Sequence, residues 1–439
     1  MAYMRNTTIV LALFLLAAIP LTAQTLQELE ARRIGLPNGW KLTPVGKSVP
    51  LGDLPLNLSI SHNRELLAVT NNGQSTQSIQ LIDLKNNQVI HTLEIDKAWL
   101  GLRFSADDAT LYVSGGNDNR IIRYAVKNKQ LVLKDSIVLG PSWPEKISVA
   151  GIDVDDTRHL LYAVTKENNA LYVIDLITKK VRKQIPLPAE NYTCLLSPDK
   201  KELYISSWGG ASILVYHTQQ EKVISTIKVG SNPNDLCLNK NGRFLYVANA
   251  NDNSVSVIDI KNRKVMETLQ TGLFPDAPSG STTNSVALSA DEKTLYIANA
   301  DNNCLSVFDV SQPGNSQPKG FIPVGWYPTC VRTAGNTIYV SNGKGYTSFA
   351  NPKGPQPVSK KISLSYQQGD TSHATEVQYI GGLFKGTLSI IPTPSPQQLT
   401  TYTRAVYGNS PYSKDREYFT SGESGNPIPR KKGDASPIR

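Results

Sequence analysis

Short apolar runs recur along this chain at a near-constant spacing, each closed by a cluster of Asn, Asp, Gly or Lys. The stretch 232–272, NPNDLCLNKNGRFLYVANANDNSVSVIDIKNRKVMETLQTG, shows the unit whole: apolar runs at 235–238, 244–248, 255–259 and 265–269, with polar turns between them. Runs of this length bounded by turn formers read as strands. Four of them in about forty residues are the pattern of one propeller blade.

The third strand of the unit is the easiest to count: IQLIDL at 79, IIRYAV at 121, LYVIDL at 171, ILVYHT at 213, VSVIDI at 255, LSVFDV at 305 and TLSIIP at 387. A second-strand signature precedes each one, at LLAVT (66), LYVSG (111), LYAVT (161), LYISS (203), LYVAN (245), LYIAN (295) and IYVSN (338). Both series give seven units; successive second strands start 42 to 50 residues apart, and the longer gaps carry Pro, Gly and Ser insertions of the kind that loops accept. The insertion between Gly272 and Asn284 is one; another, at 343–386, falls within the last unit.

The ends of the series complete one another. Residues 40–52, WKLTPVGKSVPLG, resemble only the last strand of a repeat, whereas the seventh unit lacks a fourth strand after TLSIIP. An N-terminal strand that completes the last blade closes the ring and leaves no open sheet edge. The predicted fold is therefore all-β: a seven-bladed β-propeller over 40–394, closed in this way. A short helix follows over 395–408, with Ser395 as its cap, Pro396 in its first turn, and Leu399, Tyr402 and Val406 on one face. Residues 24–39 form a polar lead-in, and 409–439, rich in Pro, Gly, Ser and mixed charge, a linker.

A forty-residue unit cannot stand alone, because ordering it costs on the order of 40–80 kcal/mol of backbone entropy. Stacking blades around an axis covers both faces of every sheet. That accounts for runs such as LYVAN and VSVID being nearly continuous in apolar residues instead of alternating.

Composition alters the picture at three points. Arg5 followed by an apolar run over 9–21 and by Thr22-Ala23 marks residues 1–23 as a signal peptide, so the expected location is periplasmic or extracellular. That run is too short for a membrane span, and no later segment is long enough. Cys194, Cys237, Cys304 and Cys330 fall in strands of different repeats, without the spacing of a zinc or haem motif, and read as small buried side chains. The excess of 45 Lys and Arg over 36 Asp and Glu is scattered along turns and forms no basic stripe with interleaved aromatics, so nucleic acid is not an expected partner.

The candidate chemistry lies in the connections from the fourth strand of one blade to the first strand of the next, which gather around one mouth of a propeller's channel. They hold Trp99, then Trp143, Glu145 and Lys146, then Tyr192, then Asn234 and Asp235, then Phe274 and Asp276, and finally Trp326 and Tyr327. Converging rings with a few charged groups suit a ligand pocket or a docking face, because rings supply apolar area and polar groups fix orientation. The competing reading is that each aromatic is a packing wedge between blades. The turns NANDNS and NADNNC offer one carboxylate each, too few for a calcium loop. The five histidines occupy unmatched positions, and no nucleophile elbow, dinucleotide motif or P-loop occurs. No catalytic residue, metal or cofactor is expected.

LYVAN and VSVIDI, with the Val-Gly-x-x-Pro connection at Val229 and again at Val324, resemble the YVTN-type β-propeller repeats of secreted bacterial proteins. LPNGWKLTPVGKSVPLGDLPLN, the Gly325-Trp326-Tyr327-Pro328-Thr329 turn, YIGGLFKGTLSIIP and TTYTRAVYGNSPY are similar to the propeller half of secreted proteins that continue into a phosphoesterase domain of the alkaline phosphatase superfamily. That resemblance implies a partner phosphoesterase domain or subunit beyond Arg439. It carries over no hydrolytic activity, since the metal ligands and nucleophile of that family have no counterpart in these residues. The expectation is a non-catalytic binding or scaffolding propeller. A lactonase-like hydrolase using Glu145, Lys146, Asp235 and Asp276 at the channel mouth, or an adhesion module for a protein, small molecule or glycan, are the alternatives.

Overall fold

The computed structural model describes residues 24–141, 144–275, 277, 279–347 and 383–412. Residues 1–23, where a signal peptide is expected, most of the 343–386 insertion, the tail after 412, Trp143 and Asp276 lie outside the described residues.

Seven four-stranded antiparallel sheets are arranged as a seven-bladed propeller. Blade one begins with Pro55–Ile60, blade two with Leu102–Phe104, blade three with Val149–Asp155 and blade four with Cys194–Leu196. Blades five, six and seven begin with Pro233–Leu238, Thr283–Leu288 and Trp326–Ala334. Each first strand packs against the first strand of the next blade, and that of blade seven against that of blade one. The second strands are buried nearly from end to end, as in Leu66–Asn71 and Leu160–Thr165. The fourth strands are more exposed, and some alternate, with Gln88–Glu94 reading exposed, half-buried, exposed along its length. Inner strands are therefore covered on both faces, and only the outer rim shows the period of two expected of a solvated strand.

The repeat signatures have local physical causes. The Asp that ends the third-strand motif accepts hydrogen bonds from the turn that follows: Asp83 from the amides of Lys85 and Asn86, Asp175 from Ile177 and Thr178, Asp259 from Lys261 and Asn262. These are Asx turns, which set up the hairpin into the fourth strand. The Asn that ends the second-strand motif is buried and ties down the opposite turn. Asn249 donates to the hydroxyls of Ser254 and Ser256, both at 2.9 Å, and Asn342 donates to Ser389 at 2.9 Å. The glycine of Val-Gly-x-x-Pro lies against that amide. A Cβ at Gly230 would stand 2.7 Å from Asn249 Cγ, and one at Gly325 2.7 Å from Asn342 Cγ, so the two motifs are one contact between neighbouring segments.

The ring closes at the seventh blade. Strand Lys47–Pro50 pairs with Thr387–Pro392, placing Lys47 opposite Ile390 and Pro50 opposite Thr387, and Val49 is buried among Leu388, Ile390 and Leu58. The C-terminal helix runs from Pro396 to Asn409, one residue past the predicted end, with a capping box between Ser395 and Gln398. It packs on the fourth strand of blade six, Gln317–Pro323, and buries Leu399, Tyr402, Ala405 and Val406. The polar lead-in is more structured than its composition suggests. Thr25 and Glu28 form a capping box on a helix over Leu26–Ala31, and Ile34–Gly35 pairs with Lys41–Leu42 before the closing strand.

Candidate functional site

The first strands surround a cavity of about 680 Å³ that runs along the propeller axis. Leu54, Tyr192, Asn234 and Tyr327 line one end, and Arg64, Lys240 and Glu292 the other. Because the first strands are stapled to one another, the cavity wall is a continuous set of polar contacts between blades.

Arg332, on the first strand of blade seven, is the hub of that wall. Its Nη1 donates to Asp235 Oδ2 of blade five at 2.8 Å and to Ser285 Oγ of blade six at 3.2 Å, and its Nη2 donates to Asn57 Oδ1 of blade one at 3.2 Å. Asn57 Nδ2 in turn donates to the Leu100 carbonyl of blade two at 2.6 Å. Ser285 Oγ also donates to Asp235 Oδ2, at 2.5 Å. One guanidinium thus links four blades. Burial is the largest single influence and opposes its charge, but the Asp235 carboxylate and the Cys330 and Cys237 sulfurs together outweigh it and raise the guanidinium's affinity for its proton above the ordinary value. Two blades further round, Arg103 Nε of blade two lies 3.2 Å from Asp153 Oδ1 of blade three, and Asp153 Oδ2 accepts the Leu196 amide of blade four at 2.7 Å.

Three thiols, those of Cys194, Cys237 and Cys330, share this wall. Burial pushes the Cys237 thiol up to about 11 and raises that of Cys330 as well, so both are held as neutral thiols instead of nucleophilic thiolates. Cys330 Sγ sits 3.5 Å from Asn57 Oδ1. All four cysteines are free.

The structure does not bring all of the sequence-predicted residues together. Tyr192, Asn234, Asp235 and Tyr327 line the cavity. Trp99 and Trp326 flank it as parts of two lysine-aromatic clusters. Trp99 meets Tyr192 edge-on at 6.2 Å with Lys166 Nζ 5.6 Å from its ring centre. Lys344 Nζ lies 5.4 Å from the Trp326 ring centre and 4.4 Å from that of Tyr327, while Phe384 meets Trp326 edge-on at 5.5 Å. Glu145 and Lys146 are exposed, and the Glu145 carbonyl accepts a hydrogen bond from Asn119. Phe274 lies elsewhere: it packs on Tyr407 of the C-terminal helix at 5.7 Å and on Tyr412 at 4.4 Å, because the 272–284 insertion carries it outward. Trp143 and Asp276 lie outside the described residues.

Backbone strain marks the same mouth. The residue just before the first strand has a positive φ in several blades, and in blade five it is Asn232, a residue that tolerates this conformation. In blade one the position is held by Leu54 (φ 47°), and in blade seven Tyr327 (φ 65°), inside the strand but directly before Pro328 as Asn232 is before Pro233, adopts the same conformation; for such side chains it costs about 1–3 kcal/mol. Both side chains line the cavity mouth. The hub residues Arg332, Arg103, Asn57 and Ser285 lie inside first strands, not in the connections that the sequence pattern singles out. Their signal was the polar or charged side chain inside an otherwise apolar first strand, as in TCVRT and GLRF.

Comparison with known proteins agrees with this architecture. Antigen Lp49 of Leptospira interrogans serogroup Icterohaemorrhagiae serovar copenhageni (strain Fiocruz L1-130) is 28% identical over 207 residues, 42% of this chain and 43% of that protein. The chain therefore spans less than half the length of that curated relative. Among solved structures, the hydrazine synthase of Kuenenia stuttgartiensis superposes with a TM-score of 0.54 at 17% identity, covering 66% of this chain and 94% of that one, a likeness of fold alone. The profile of the YNCE-like beta-propellers matches residues 8–335, and the chain belongs to that family.

Proposed function

We propose that this chain is an exported binding and scaffolding propeller whose fourth-to-first connections hold a partner domain, and that the partner is a phosphoesterase of the alkaline phosphatase superfamily. The observation that carries the docking role is the cluster of Trp326, Tyr327 and Lys344 beside the channel mouth, with Tyr327 held at a strained backbone angle. A bulky residue kept in a conformation that Asn would adopt at lower cost is retained for what its side chain presents. Rings stacked with a lysine offer apolar area, cation–π attraction and hydrogen bonding in one patch, the composition of an interface hot spot. The phosphoesterase is supported by the resemblance of the Gly325–Thr329 turn and of the flanking segments to propellers of such proteins.

A hydrolytic role in the channel has less support. A lactonase-like centre needs carboxylates converging on one point, and Asp235 is already bonded to Arg332 and Ser285. Among the described residues, no three His, Cys, Asp or Glu side chains form a metal-binding group.

The test is a titration of the chain with a separately produced phosphoesterase domain of the resembling type. Trp326→Ala should weaken binding by tenfold or more, as expected for a hot-spot ring worth about 2 kcal/mol. Unchanged affinity together with a lowered melting temperature would reduce Trp326 to packing and remove the docking face.

A further inference from the structure

The channel contains a second feature that partner docking does not use. Of the charged residues lining it, Arg64, Arg103, Lys240 and Arg332 are basic, against Asp235 and Glu292. A low-dielectric wall around an excess of positive charge concentrates anions. The two arginines in mid-channel differ in what they leave open. Both terminal nitrogens of Arg332 are engaged, by Asp235, Ser285, Asn57 and the Val331 carbonyl. Arg103 is anchored only through Nε, 3.2 Å from Asp153 Oδ1, and no described residue accepts a hydrogen bond from its two terminal amino groups.

Strand register puts a third group between them. Leu58, Leu102 and Val331 pair with Val69, Val113 and Val340 at equivalent places in blades one, two and seven, so Ser59, Arg103 and Arg332 occupy one level on three consecutive first strands. Ser59 is 7% exposed and lines the cavity, and its hydroxyl has no hydrogen-bond partner among the described residues. A hydroxyl that opens on the cavity without a protein partner is free to donate to whatever fills it. An open guanidinium fork beside a donor hydroxyl matches the two oxygens of a carboxylate or phosphate.

We propose that the central channel is a binding site for a small organic anion, a carboxylate or phosphate ester, received by the Arg103 fork and the Ser59 hydroxyl against the rigid Arg332–Asp235 wall. The cavity of about 680 Å³ is within the size range of small-molecule pockets. Asp153 sits behind Arg103, its side chain 12% exposed, and offsets part of the guanidinium charge without lining the channel.

Isothermal titration of the whole chain at low salt, with inorganic phosphate in one arm and citrate in the other, tests this. Saturable one-to-one binding is expected in at least one arm, and the arm that binds assigns the oxygen chemistry. Arg103→Gln should weaken it tenfold or more. Asp153→Asn, which removes the counter-charge while keeping an acceptor for the Leu196 amide, should leave binding as tight or tighter. Because both variants break the same ion pair, opposite effects separate ligation from loss of fold. No binding in either arm, or Arg103→Gln binding as well as the wild type, would overturn the site.

Discussion

At the scale of single residues, the repeat signature is a record of close contacts more than of preference. Gly52, Gly230 and Gly325 precede the first strands of blades one, five and seven, and a Cβ on any of them would approach the buried amide of Asn71, Asn249 or Asn342 to within 2.7–2.8 Å. Asn249 cannot swing aside, because its Nδ2 holds Ser254 and Ser256 and the side chain is fully buried. Asp252 closes the other side, against both the place where a Gly230 Cβ would go and the Ser231 amide. Gly230→Ala should therefore destabilise by about 1–3 kcal/mol, the usual cost of overpacking. Gly35→Ala is the control, since a Cβ there meets nothing within 4 Å. Equal melting temperatures for the two variants would show that the Gly-Asn contact does not hold the blades. The same logic explains which site residues were legible. Tyr192, Asn234, Asp235 and Tyr327 line the cavity because the start of each first strand must face the axis, a consequence of topology that spacing alone reveals. Arg103 and Arg332 were less visible because a strand covered on both faces gives no periodic cue to which side chains turn toward a channel.

At the scale of elements, what pattern reveals depends on how many faces are buried. The second and third strands, apolar throughout, were readable in all seven units. The lead-in was not, because a helix of six residues and a two-residue strand pair bury too little to leave a periodic trace. Only its Thr25-x-x-Glu28 capping box could have signalled it. Phe274 was misplaced for a related reason: an insertion breaks the count that assigns connections to the axis. The closing strand is where element and ring meet. Without Lys47–Pro50, the edge of Thr387–Pro392 is unpaired and Val49 no longer covers Leu388. An exposed apolar edge recruits other chains. Deleting 24–52 should therefore lower the melting temperature and produce self-association in size-exclusion chromatography with light scattering. A monomer with an unchanged melt would mean that blade seven is stable with three strands and that the N-terminal strand is dispensable.

At the scale of the whole molecule, adjacent blades meet mainly through apolar side chains, which are adhesive but undirected, whereas the polar wall of the channel fixes how many blades fit. Hydrogen bonds run from the Leu196 amide to Asp153, and from Leu100 through Asn57 and Arg332 to Ser285 and Asp235, with the Arg103–Asp153 ion pair joining the two halves. Ser206 Oγ donates to the Asn234 carbonyl and Asn234 to Asn284, so blades four, five and six are bonded as well. Removing a surface charge should hardly disturb this ring. Lys201 and Asp199 are 62% and 57% exposed, and Lys201→Ala is expected to change stability by less than about 1 kcal/mol. Arg332 differs in kind, because its loss leaves the Asp235 carboxylate, 17% exposed, without its cation and removes the side-chain links from blade seven to blades one, five and six. Arg332→Met should cost about 3–5 kcal/mol, the penalty for breaking a buried pair on one side. Replacing Asp235 by Asn in the same chain should recover part of that loss, since an amide needs no counter-charge. Calorimetry distinguishes the outcomes: the single variant should melt markedly earlier, and the double variant between it and the wild type. If Arg332→Met melted no earlier than Lys201→Ala, the channel pair would not be what holds the seven blades in register, and the apolar faces alone would set the ring.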